Sequence, residues 1–173
     1  MEQKILFNEE ECSYLKSFVE RNDIVKTSND AYGSFNTTVC VIPPIEIPNW
    51  FTDKLKEFDI ADISFENKLA SSRSVIINKY GTNGYFAKHK DDYSKYTSWK
   101  YRYKTLIIQL SKSDSYKGGD LLVDDVSVDR TIGNTILFDA STYHELKKIT
   151  EGERYSLVIW FDRDDITKHK NLL

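Results

Sequence analysis

The stretch "NTILFDASTYHELKKITEGERYSLVIWFDR", residues 134–163, sets the fold. It holds three runs rich in β-branched and aromatic residues, "NTILF", "HELKKIT" and "RYSLVIWF", parted by short polar connections. Parallel neighbours need a crossover of about a dozen residues or more, and there is no room for one here. The runs are therefore expected to pair antiparallel. Upstream, "RSVIINKY" (73–80), "YKTLIIQLS" (103–111) and "GDLLVDD" (119–125) have the same texture. Six such runs without intervening helices predict an antiparallel barrel or a double-sheet sandwich, a mainly β fold.

The N-terminal part reads differently. Residues 8–22, "NEEECSYLKSFVERN", predict a helix: Asn8 caps it, Glu9 to Glu11 favour its positive end, and Leu15, Phe18 and Val19 form an apolar face. A proline-marked segment, "IPPIEIPNW", precedes a short helix expected near 49–58. The expectation is one domain over residues 1–173. Residues 1–72 form a helical support region packed outside a β core of residues 73–162, and the charged tail "DDITKHKNLL" frays.

Composition excludes several classes. The chain of 173 residues is 40% hydrophobic and 29% charged, ordinary for a globular protein, so disorder is not expected. A net charge of −3 gives no global attraction to polyanions. No apolar stretch approaches the ~20 residues needed to cross a bilayer, and "MEQKILFNEEEC" is not patterned as a signal peptide. Cys12 and Cys40 lack metal-ligand spacing and are read as reduced thiols of a cytoplasmic protein.

The chain has only three histidines, and two of them fall in the β region. His89 precedes Asp91 by two positions in "YFAKHKD". If that segment is extended, both side chains share one face and Asp92 lies on the other. An HxD pair by itself is more often a surface turn than a metal site, and His144 in "STYHEL" by itself reads as a strand start with a satisfied imidazole. Taken together, two histidines and a carboxylate from one β domain are the ligand set of a facial triad for ferrous iron. Ten residues beyond His144, "RYSLVIWF" sorts by parity. Arg154, Ser156, Val158 and Trp160 share one face, and Tyr155, Leu157, Ile159 and Phe161 the other. An inward Arg154 would clamp a carboxylate, whereas an outward one would pair with Glu151 or Glu153.

These segments, "YGTNGYFAKHKD", "LSKSDSYKGGDLLV" and "IGNTILFDASTYHELKKITEGERYSLVIWF", resemble the iron(II)/2-oxoglutarate-dependent dioxygenases of the prolyl 4-hydroxylase type. The "LS…Y.GGDL" piece is similar to the PKHD-type hydroxylase branch. The resemblance runs from about residue 73 to 162 and implies a double-stranded β-helix, or jelly roll. It implies His89, Asp91 and His144 as iron ligands, with no catalytic side chain beyond the metal centre. It implies Arg154, with Ser156 beside it, for the distal carboxylate of 2-oxoglutarate, and Tyr80 as a hydrogen-bonding partner of that cosubstrate. Trp160 matches a pocket tryptophan near the metal. Many members carry a tyrosine on the strand after the HxD that also touches the distal carboxylate, and the matching position here is Gln109. Cosubstrate binding is therefore expected to be weaker or differently arranged. The implied reaction couples oxidative decarboxylation of 2-oxoglutarate to hydroxylation of an unactivated C–H, with ascorbate helping to keep iron ferrous.

The segment "YSKYTSWKYRYK", residues 93–104, mixes five aromatic and four basic residues with no acid, directly after the first two candidate ligands. It is expected to wall the mouth of the site, with Tyr93, Tyr96 and Trp99 against the substrate. A protein or peptide substrate is favoured, prolyl by resemblance. Base oxidation in single-stranded nucleic acid is the runner-up, because stacking and phosphate contacts use the same residue types. Nucleobase-oxidising relatives carry a second arginine shortly after the first, whereas here the next is Arg163, nine positions on and at opposite parity. A non-catalytic jelly-roll metal-binding module is the third reading.

Overall fold

The computed structural model describes residues 1–21, 25–28, 33–43, 46–58, 75–92 and 102–162, with backbone only for 25–28 and 162. In chain order the elements begin with β1 (Glu2–Ile5), α1 (Glu9–Arg21), β2 (Val25–Ser28), β3 (Ser34–Val41), α2 (Asn49–Leu55) and β4 (Val75–His89). They continue with β5 (Arg102–Gln109), β6 (Tyr116–Gly118), β7 (Leu121–Val123), β8 (Val126–Ser127), β9 (Asn134–Asp139), β10 (His144–Leu146), β11 (Ile149–Gly152) and β12 (Arg154–Asp162). Every strand pair is antiparallel.

The main sheet runs β1-β9-β5-β12-β4-β10-β7-β8, with β3 also on β4 and β2 on β3. A second, two-stranded sheet joins β11 to β6. Parity along β12 divides the molecule as the sequence predicts. Leu157, Ile159 and Phe161 join Ile77, Leu106 and Ile108 in an outer core that also holds Cys12, Leu15 and Phe18 of α1 and Phe51 and Leu55 of α2. Val158 joins Tyr80, Ile107, Ile136 and Phe138 in an inner core capped by Tyr116 of β6 and Ile149 of β11. The helices thus pack outside and the small sheet packs inside, which is the expected jelly roll.

Local chemistry explains the helix entry. Asn8 Oδ1 accepts from the Glu11 N–H at 2.9 Å, while the Asn8 N–H donates to Glu11 Oε2 at 2.9 Å, a reciprocal capping box. Lys54 of α2 then binds Glu11 Oε2 at 2.7 Å, tying the two helices together.

Two features differ from expectation. Residues 1–72 are not helical alone: β1 pairs with β9, and β3 pairs along β4, so this region extends the main sheet on both sides. The four-residue β1 is too short to stand out by periodicity, and β3, "SFNTTVCV", is too polar to read as a core strand. Second, the strand that begins in "RSVIINKY" does not end at residue 80; β4 continues through the Gly/Asn run 81–84 to His89. Asn83 takes φ 69° and the facing Asn36 φ 45°, and the register shifts between Phe35 and Thr37. These kinks bend the long strand without ending it.

Gly133 shows why the turn before β9 needs glycine. Its φ is +79°, and a Cβ there would sit 1.7 Å from the Phe7 carbonyl oxygen. That oxygen-lined contact fixes the N-terminal strand, since Leu6 and Phe7 both donate to the Gly133 carbonyl.

Candidate active site

The concave face of the sheet collects polar groups at matched register. Across the sheet, Arg154 faces Tyr80, Ser156 faces Asn78 and Gln109, and Trp160 faces Thr105. His144 of β10 faces His89, the last residue of β4. Of these, Asn78, Tyr80, His89, His144, Arg154, Ser156 and Trp160 surround one cavity of about 40 Å3, lined also by Asp91, Ile107 and Phe86.

At its mouth His89, Asp91 and His144 each present one ligand atom, all within 4.8 Å of one another. Asp91 Oδ1 lies 3.6 Å from His89 Nε2, and Oδ2 lies 3.4 Å from His144 Nε2. Each imidazole is held from behind. His89 Nδ1 is 2.7 Å from the Ala87 carbonyl and His144 Nδ1 is 3.1 Å from the Thr142 carbonyl. A carbonyl only accepts, so Nδ1 carries the proton on both rings and Nε2 keeps its lone pair for a cation. Phe86 stacks on His89 at 4.0 Å, and Phe138 meets His144 edge-on at 4.9 Å, which fixes the ring planes.

Asp91 reaches the site by a turn, not by strand parity. The strand ends at His89, and the N–H groups of Asp91 and Asp92 both donate to the Ala140 carbonyl, at 2.9 and 3.2 Å. Asp91 is 5% exposed and Asp92 is only half-buried. The residue chosen from the sequence converges on the histidines, but a backbone clamp from the end of β9 aims it there. Burial by itself raises the Asp91 carboxyl. The hydrogen bond to His89, the fields of His144 and His89 and the Thr105 hydroxyl outweigh that and hold it at about 2. Burial lowers His144 below its ordinary value, with Asp91 opposing and His89 adding to the shift. Two imidazole Nε2 atoms and one ionised carboxylate fit a divalent metal with open positions opposite.

Arg154 lies deeper and is 3% exposed. Its only bond among the described residues is donation to Ser156 Oγ, at 3.1 Å. The two acids that could have held it outside are engaged elsewhere, Glu153 with Lys79 at 2.7 Å and Glu151 with Lys117 at 2.7 Å. A buried guanidinium without a carboxylate is costly, so this cavity is built for an anion. Tyr80 beside it is 4% exposed; burial pushes its phenol up to about 12, against the lowering field of Arg154. The hydroxyl therefore stays protonated and available as a donor.

Gln109 does not open on the metal cavity. Its amide donates to the Ser111 carbonyl at 3.1 Å and to the Tyr116 hydroxyl at 2.9 Å. Trp160 lines the metal cavity, with the Arg102 guanidinium 4.0 Å over its ring and its own buried N–H unpartnered among the described residues. Tyr93, Tyr96 and Trp99, with Lys95, Lys100, Arg163 and His169, lie outside the described residues.

Thr105 escaped the sequence reading. Fully buried, it donates from Oγ1 to Asp91 Oδ2 at 2.6 Å. A signal existed: in "YKTLIIQL" Thr105 shares parity with Ile107 and Gln109, a hydroxyl on the inward face of an apolar strand.

A family model described as "2OG-Fe(II) oxygenase superfamily" matches residues 75–162, just over half of the chain and all of the cavity-forming strands. The chain belongs to the 2OG-Fe(II) oxygenase superfamily. It is similar to a PKHD-type hydroxylase of Acinetobacter baylyi, 29% identical over 105 residues, covering 54% of this chain and 46% of that one. It thus spans under half the length of the curated relatives it matches. Among solved structures, a Pseudomonas putida prolyl-4-hydroxylase superposes with TM-score 0.65 at 17% identity, over 94% of this chain and 91% of that chain. A prolyl hydroxylase from Trichoplax adhaerens, in complex with a hypoxia inducible factor oxygen degradation domain peptide fragment, superposes with TM-score 0.64 at 15% identity, over 94% and 83%. At those identities the likeness is one of fold. Members of the superfamily use iron(II) and 2-oxoglutarate, and the His-Asp-His cluster fits the metal by donor type and spacing.

Proposed function

We propose that the chain is an iron(II)- and 2-oxoglutarate-dependent hydroxylase acting on an unactivated C–H of a protein or peptide, with a prolyl residue as the leading candidate. One observation carries this reading: a buried arginine without an acid partner among the described residues shares its cavity with a two-histidine, one-carboxylate cluster. His89, Asp91 and His144 hold the metal through Nε2, one carboxylate oxygen and Nε2. Arg154, with Ser156, takes the distal carboxylate of 2-oxoglutarate, and the protonated Tyr80 hydroxyl donates to the same molecule. Bound there, iron(II) with 2-oxoglutarate would supply the oxidising chemistry for hydroxylation of a substrate C–H, with succinate and carbon dioxide as coproducts. The protein's part is orientation and exclusion of water. Nδ1–H bonds fix both imidazoles, Thr105 fixes the carboxylate, and Phe86 and Trp160 dry the walls.

Support for a peptide substrate comes from the prolyl hydroxylase neighbours, one of them holding a peptide. Arg102 stacked on Trp160 and Lys90 over Tyr143 at 4.5 Å give the described rim a cationic and aromatic character. Ascorbate is the expected reductant for iron that oxidises without turnover. The test is succinate release from a peptide library incubated with the protein, iron(II), 2-oxoglutarate and ascorbate. No peptide-stimulated succinate, together with turnover of single-stranded nucleic acid whose binding falls steeply with salt, would move the assignment to base oxidation.

A further inference from the structure

Behind Arg154 lies a second cavity of about 10 Å3, lined by Gln109, Tyr116, Gly119, Asp129 and Arg130 among others. Arg154 and Leu121 line both cavities, so the guanidinium stands between them. Such a volume holds about one oxygen atom, a water or one end of a carboxylate.

Its polar lining is rich in unspent donors. Tyr116 is 3% exposed, and its hydroxyl accepts from Gln109 Nε2 at 2.9 Å. A phenol that accepts one bond still has its proton to give, and no described residue takes it. The Arg130 guanidinium lies 4.3 Å over the Tyr116 ring, and its buried Nε is unpartnered among the described residues. Asp129 Oδ1 is already engaged by the Thr131 N–H and hydroxyl, each at 2.9 Å. Arg130 spends its Nη groups on Asp120 Oδ1 at 3.4 Å and on the Ser113 and Tyr116 carbonyls at 3.2 and 3.1 Å, so Arg154 and the Tyr116 phenol are the groups left to favour an anionic oxygen.

The glycine pair after Tyr116 completes the seat. Gly118 and Gly119 both have φ +67°. A Cβ on Gly119 would lie 2.1 Å from Ile149 Cδ1 and 3.1 Å from the Tyr116 ring. The "Y.GG" spelling therefore lets the ring lie flat against the backbone beneath Arg130.

We infer that Tyr116, oriented by Gln109, is the second donor to the distal carboxylate of 2-oxoglutarate, alongside Arg154. This rests on the proposed cosubstrate site. One carboxylate oxygen pairs with the Arg154 fork, and the other enters the small cavity and accepts the Tyr116 proton. The phenol absent at position 109 is supplied from β6, with the glutamine serving as its anchor. Gln109→Tyr consequently restores nothing: the new ring meets a site already filled by Tyr116.

The experiment is calorimetric titration of the manganese(II)-loaded, anaerobic protein with 2-oxoglutarate and with 2-oxobutyrate, which lacks the distal carboxylate. Tyr116→Phe keeps the ring and its stack. It should weaken 2-oxoglutarate binding about tenfold, the scale of one hydrogen bond to a charged group, and leave 2-oxobutyrate and manganese(II) binding unchanged. Gln109→Leu should shift 2-oxoglutarate the same way by less. Unchanged 2-oxoglutarate affinity in Tyr116→Phe would overturn the inference and leave the cavity to a buried water. If Arg154→Met also failed to narrow the preference for 2-oxoglutarate over 2-oxobutyrate, the cosubstrate site itself would fall with it.

Discussion

The two faces of β12 use one backbone for opposite ends. On the outer face Leu157, Ile159 and Phe161 are almost fully buried against α1, α2 and the neighbouring strands, with apolar neighbours throughout. On the inner face Arg154 and Ser156 are as deeply buried, yet among the described residues the guanidinium hydrogen-bonds only the Ser156 hydroxyl. The outer face is complete as folded. The inner face is complete only with a ligand, and its unpaired charge is stability given up for binding.

Metal binding breaks the contrast most severely. Asp91→Ala should weaken manganese(II) or iron(II) binding by more than about 100-fold, beyond the loss typical of outer-sphere partners, while Asp92→Ala should leave it intact. Equal losses in a metal titration would refute the assignment of Asp91.

The faces should next separate by sign. Phe161→Ala opens a cavity in the outer core and should cost about 3–5 kcal/mol of unfolding free energy in denaturant melts. Arg154→Met should leave the metal-free protein as stable or more so, because it removes a buried unpaired cation. The same variant should lose about 2–5 kcal/mol of 2-oxoglutarate binding. A marked destabilisation by Arg154→Met would mean that the guanidinium is already satisfied in the unliganded fold.

Thr105 sharpens the comparison on a smaller scale. Thr105→Val keeps shape and removes the hydroxyl from Asp91; metal affinity should fall roughly 10-fold or more, and Thr105→Ser should restore it. Failure of serine to rescue would make the effect one of packing.

The smallest effect is in acid. Burial holds His144 below its ordinary value of 6.5, so the unfolded chain takes that proton first. Stability of the metal-free protein is fully present above about pH 6.5 and should fall as pH drops below it. A second loss should follow between 3.8 and about 2, where the unfolded chain binds the proton that folded Asp91 refuses. Thermal melts of chelator-treated protein check both, and stability that rose on acidification through pH 6.5 would contradict the buried neutral imidazole.

What the sequence by itself determined follows from period and residue type. Parity along "RYSLVIWF" assigned the side chains of residues 154–161 to their faces, and the run of short strands gave the antiparallel fold. The capping box at Asn8 is also local, since it depends on residues three positions apart. Only the tertiary structure decided the rest. Asp91 enters the site because Ala140, far along the chain, takes its N–H. Thr105 matters because the turn after β4 lands beside β5. Gln109 was legible as a departure from a family pattern, but its consequence was not, because its partner Tyr116 arrives on another strand of another sheet. The physical reason is that period fixes which way a side chain points, whereas a hydrogen bond needs its partner within about 3 Å, and that distance is set by how distant segments pack.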